Sequence, residues 1–125
     1  METVMIPGAL PTKGHYVPAV KDGSVLYISG QLPFDPFTGE PCRGDIREQT
    51  RRALSNFGNV IAAAGAAKED VVKVVLYISD INLWEEVNQL YGEFFGNHFP
   101  ARSIVPTRSL HYDFLIEIEG IAHLH

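Results

Sequence analysis

The sequence predicts an α+β fold, a mixed β-sheet with two helices packed on one face. Two amphipathic segments at helical spacing alternate with runs of β-branched and aromatic residues, so helices serve as crossovers between strands. The run Val71–Ile78 is apolar at nearly every position, the pattern of a strand covered on both faces. At 125 residues the chain can build one hydrophobic core, and a single domain over residues 1–125 is expected.

Taken in chain order, residues 4–6 and 16–20 carry weak strand signals and residues 24–29 a strong one. Lys21-Asp22-Gly23 supplies a hairpin turn between the last two. The Pro- and Gly-rich stretch 31–44 reads as an ordered surface loop. The first helix starts at Asp45, a side chain able to cap free N–H groups, with Glu48 reaching back to complete a capping box, and it runs to Gly65. Ile46, Ala53, Leu54, Phe57, Val60, Ile61 and Ala64 form its apolar stripe. A strand follows at 71–79. The second helix is capped by Asp80, carries Glu85 and Glu86 in its first turns where the macrodipole favours acids, and stops at Gly96. Strands at 103–105 and 114–124 complete the order. Two helices cover one sheet face only, so the apolar 71–78 strand calls for a second copy of the chain on the other, a homo-oligomer.

Composition narrows the function classes. Ten Lys and Arg against fifteen Asp and Glu leave a formal charge of -5, which disfavours non-specific nucleic-acid binding. No apolar run has the length of a membrane span, and the N-terminus lacks the basic and apolar regions of a secretory signal, so a cytoplasmic location without membrane attachment is expected. Cys42 is the single cysteine and has no local base to activate it. No phosphate-binding glycine loop, nucleophile elbow or dinucleotide fingerprint is present, and chemistry without a cofactor or metal is expected.

Charged residues on strands are the most informative candidates. In Ile116-Glu117-Ile118-Glu119, period 2 puts both acids on one face, either partly buried with raised pKa or simply solvated. Arg102 enters a strand after Phe99-Pro100-Ala101; it either pairs with a protein acid or grips a ligand carboxylate bidentately. Arg47, Arg51 and Arg52 fall on the polar face of the first helix. His123 and His125 alternate at the C-terminus, a weak metal signal.

Several segments together resemble the RidA (YjgF/YER057c/UK114) family: Ser29-Gly30-Gln31-Leu32-Pro33, Gly44-Asp45-Ile46, Ala63-Ala64-Gly65, Asp70-Val71-Val72-Lys73, Val87-Asn88 with Tyr91, Phe99-Pro100-Ala101-Arg102-Ser103, and Ile116-Glu117-Ile118-Glu119. The resemblance runs from Gly14 to Ala122 with the elements in the same order. It implies a chorismate-mutase-like fold assembled as a homotrimer with a central barrel-like core and sites between subunits. It also implies hydrolysis of small imino and enamine acids, such as 2-aminoacrylate and 2-iminobutanoate, to 2-oxo acids and ammonia, with no cofactor. By the same resemblance Arg102 binds the substrate carboxylate and Glu117 acts at the imine and its attacking water. Tyr16, Ser29 and Gly30 line the ligand, and Ile104 stands where many members carry Cys, leaving a main-chain contact there. The chain departs from the family at His15-Tyr16-Val17-Pro18 and at Leu110-His111-Tyr112-Asp113, which replaces a Pro-Lys-Gly turn. Two other readings compete: a non-catalytic trimer that binds small carboxylates, and the endoribonuclease description attached to some relatives.

Overall fold

The computed structural model describes residues 1–125, and its strands are β1 (Glu2–Val4), β2 (Ala19–Asp22), β3 (Val25–Gln31), β4 (Val71–Ile78), β5 (Ala101–Pro106) and β6 (Ile116–His123). They form one sheet in the order β1-β2-β3-β6-β4-β5. Helix α1 (Ile46–Ala63) connects β3 to β4, and α2 (Trp84–Phe95) connects β4 to β5. The crossover through α2 makes β4 and β5 parallel, and the other pairings are antiparallel. No helix is long and apolar enough to cross a membrane.

All seven residues of the predicted α1 stripe are buried, together with Val87, Leu90, Tyr91 and Phe95 of α2. Against them lie Leu26, Ile28, Val74, Leu76, Ile78, Ile116 and Ile118 from the sheet, so both helices share one face as expected. Gly120 belongs to that face. A Cβ there would come within 2.7 Å of both Phe57 Cζ and the Lys73 carbonyl, so glycine is what lets α1 seat its ring on β6.

The other face is open in the protomer. Tyr27 is 48% and Val72 49% exposed, Val105 is exposed, and Val75 and Tyr77 are half-buried. The single chain therefore covers β4 on one side only. The apolar residues of the other side are what a second copy would have to bury.

Local differences from the expected elements have identifiable causes. The hairpin turns at Gly23-Ser24, with Asp22 paired to Val25, because Gly23 takes a φ of +60° and a two-residue loop results. Residues 16–18 lie outside β2, and Tyr16 sits in a loop. Asp45 does cap α1, accepting from the Glu48 N–H at 2.9 Å, but the Glu48 carboxylate lies against Gly44 and makes no return bond to Asp45. Asp80 caps a short 3₁₀ turn at Ile81–Leu83 that leads into α2. β5 reaches beyond residues 103–105 at both ends because its whole length pairs with β4, and Phe114 is buried ahead of β6.

Candidate functional site

Arg102 enters β5 opposite Val74, so strand alternation turns its side chain to the helix side of the sheet, with Ile104 two residues on opposite Leu76. There α2 receives it. Trp84, Asn88 and Tyr91 recur at helical spacing on one face: Asn88 Oδ1 accepts from Arg102 Nη1 at 2.8 Å, and the guanidinium lies 4.8 Å from the Tyr91 ring centroid and 5.7 Å from that of Trp84. No acid pairs with it; the ion pairs are Arg47–Glu86 and His125–Asp70. A half-buried cation thus rests on an amide oxygen and two aromatic faces, leaving guanidinium donors unspent. Burial drives the Tyr91 phenol up to about 12 despite the opposing Arg102 charge, and its hydroxyl has no partner.

Glu117 sits opposite Tyr77 on β4, which places it on the open face with Glu119. The β3–β6 register shifts between Ile28 and Gln31, a bulge that brings Gly30 onto this acid. A Cβ at Gly30 would stand 2.5 Å from Glu117 Oε2. Burial, then the Glu119 charge, raise the Glu117 carboxyl above its ordinary pKa, and His111 works against them. Glu119 is engaged elsewhere, accepting from the Tyr77 hydroxyl at 2.5 Å. Tyr16 completes the group: burial, then the charge of Glu117, lift its phenol. Ser29 holds the segment that carries Tyr16, its Oγ donating to the Val17 carbonyl at 2.6 Å and its N–H to Pro18 at 3.0 Å.

The predicted site residues therefore form two sets. Gly30 and Glu117 meet on the open face, with Tyr16 near enough to feel the Glu117 charge and Ser29 tied to the loop that carries Tyr16, while Arg102 and Ile104 belong to the helix side, on the edge strand β5. His125 spends a ring nitrogen on Asp70 Oδ1 at 2.8 Å. Cys42 stands in a separate groove with Glu48, Arg51 and Arg52.

The family model described as Endoribonuclease L-PSP matches residues 7–124. The chain belongs to the RidA family. Among its RidA-family relatives, a RutC family protein of Pyrococcus horikoshii is 43% identical over 122 residues, covering 98% of this chain and 97% of that protein. The 2-iminobutanoate/2-iminopropanoate deaminase of Homo sapiens is 37% identical, covering 98% of this chain and 87% of that protein. The crystal structure of Escherichia coli TdcF with bound serine superposes with a TM-score of 0.92 at 34% identity, each chain covered in full. Reactive-intermediate deaminases are thus found among the RidA relatives of this chain.

Sequence reasoning missed the supports of Arg102. Trp84 and Tyr91 look like core on a helical stripe, and the clue that they do more is Asn88 among them, a polar residue on an apolar face.

Proposed function

We propose that this chain hydrolyses small reactive 2-imino acids and their enamine tautomers to 2-oxo acids and ammonia, in sites built between copies of a homotrimer. The observation that carries the reading is Arg102, a half-buried guanidinium held by Asn88 and two aromatic rings with no acid of its own. A substrate carboxylate is the partner that such a fork fits. Since Glu117 faces the other side of the sheet, a neighbouring copy brings its open face, with Tyr16, Gly30 and Glu117, to the β5 edge of the first.

The chemistry needs little beyond that pairing. Arg102 fixes the carboxylate and so the imine carbon beside it. Glu117, ionised, takes a proton from a water as its oxygen bonds to that carbon. The protonated carboxyl returns that proton to the imine nitrogen, giving a carbinolamine, and the same carboxylate then carries the carbinolamine hydroxyl proton to nitrogen as the C–N bond breaks and the C=O bond forms, leaving the 2-oxo acid and ammonia. The raised pKa of Glu117 makes it a stronger base toward that water than an ordinary carboxylate.

The test supplies freshly generated 2-iminobutanoate and follows ammonia and 2-oxobutanoate together. Equal release of both well above the spontaneous rate is expected, from a species that sediments as a trimer. Tight carboxylate binding with no acceleration would replace the enzyme by a binding trimer. A second expectation concerns Gly30→Ala. The added methyl meets the end of a flexible side chain, so folding survives while the carboxylate is displaced, and kcat falls by about a hundredfold for a shift near 1 Å.

A further inference from the structure

We propose that Lys13 is a positioning residue for the reaction, a clasp that fixes the loop carrying Tyr16 and so sets where the Tyr16 hydroxyl stands near Glu117. The role rests on the deaminase reading and adds to it a residue that neither set of site groups contains. Lys13 has no acid of its own, since the ion pairs lie elsewhere, at Arg47–Glu86 and His125–Asp70. Its ammonium instead lies 3.9 Å from the Phe34 ring centroid and 5.5 Å from that of Tyr112, and it donates to the Gly39 carbonyl at 3.3 Å.

The loop needs such a hold. Tyr16 lies in the irregular segment between β1 and β2, where residues 12–16 close on themselves: Thr12 Oγ1 donates to the Tyr16 carbonyl at 2.6 Å, and the Tyr16 N–H to the Gly14 carbonyl at 3.0 Å. The Tyr16 ring rests on the same turn, because a Cβ at Gly14 would stand 3.0 Å from Tyr16 Cε1. Ring and turn therefore move as one piece. After the turn, Ser29 holds Val17 and Pro18; before it, the Leu10 N–H donates to the Pro36 carbonyl at 2.9 Å. Within residues 12–16, the bond from Lys13 to Gly39 is the one hydrogen bond to a distant part of the chain.

The rings that receive Lys13 are themselves braced. Phe34 packs edge-on to Tyr112 at 5.1 Å and to the buried Phe114 at 4.9 Å between centroids, and Arg43 donates to the Tyr112 carbonyl. Tyr112 belongs to the turn whose Leu110 lines the recess that contains Glu117. Lys13 thus fastens the Tyr16 loop to a rigid support that also borders the acid. Both ends of the clasp depend on charge, since a neutral side chain neither sits on the ring faces in this way nor bonds the Gly39 carbonyl through an ammonium.

The experiment measures kcat/KM on 2-iminobutanoate for Lys13→Met, Lys13→Arg, Tyr16→Phe and the double variant Lys13→Met with Tyr16→Phe, and follows amide hydrogen exchange in the same proteins. Both positions are exposed, so the variants leave the core intact and fold. Lys13→Met is expected to lose about fivefold, the size of an exposed cation–π contact, while Lys13→Arg, which keeps the charge on the rings, stays within about twofold of wild type. Tyr16→Phe removes the hydroxyl that the clasp positions, so adding Lys13→Met to it should cost less than about twofold more. A residue that only supported the fold would lose the same factor in both backgrounds. Exchange of the amides from Leu10 to Tyr16 should quicken about fivefold in Lys13→Met while α1 and β6 keep their rates. Unchanged kcat/KM in Lys13→Met, the full loss repeated with phenylalanine at 16, or unchanged exchange overturns the assignment. If the wild type turns over no imine, the deaminase reading falls, and the clasp is judged by exchange alone: faster exchange in Lys13→Met but not in Lys13→Arg upholds it, and any other pattern overturns it.

Discussion

Arg102→Ala is expected to lower kcat/KM on 2-iminobutanoate by the equivalent of about 2–5 kcal/mol, the range for truncating one partner of a hydrogen-bonded charge pair. The loss should be almost wholly functional. Arg102 has no ionic partner within the chain, so its removal gives up one bond to Asn88 and its stacking on Tyr91 and Trp84, about 1–2 kcal/mol of stability. Arg102→Lys should recover little activity, because an ammonium neither forks a carboxylate nor lies flat on the two rings. Kinetics on freshly generated imine, with urea denaturation of the same samples, separate the two effects. Full activity in Arg102→Ala would remove the arginine from the mechanism.

The second large effect is expected at Glu117→Gln. Loss of a general acid–base costs about 10²–10⁴-fold in rate, and the acid limb of the pH–rate profile, set by the raised Glu117 pKa, should vanish from the residual activity. Stability should move the opposite way. Because burial and Glu119 lift the folded-state pKa above that of the unfolded chain, the ionised carboxylate disfavours folding at neutral pH. That penalty is relieved as pH falls through the folded-state pKa and is gone below the ordinary carboxylate range. Glu117→Gln should therefore withstand more urea than the wild type at pH 7 and show a shrinking advantage in acid. A variant less stable than wild type at pH 7 would contradict the raised pKa.

Local patterns in the sequence carried both helices, the long strands and the mixed sheet, since each rests on periodicity and caps within a few residues: Asp45 before α1, the Leu54–Phe57–Ile61 stripe, the alternation at Ile116–Glu119. What escaped depends on partners far along the chain. β5 reaches its full length only through pairing with β4, some thirty residues earlier. The same holds at the site. Family resemblance singled out Arg102 and Glu117, but their placement on opposite faces follows from the registers Val74–Arg102 and Tyr77–Glu117, which no single segment encodes. Of the two readings open for Arg102, the protein acid is absent, and the chain meets it with Asn88 and aromatic rings instead.

That separation has a bearing on how such a protein can change. Arg102 leans on Trp84, Asn88 and Tyr91; Glu117 leans on Tyr16, Gly30 and His111, and the two groups have no member in common. Within one protomer, the stability effects of substitutions in sets without shared partners combine additively, to within about 0.5 kcal/mol. The turn from Leu110 to Asp113, which borders Glu117 and touches none of the supports of Arg102, can therefore change without loosening the fold around the guanidinium. Each half of the protomer can vary without unsettling the packing of the other.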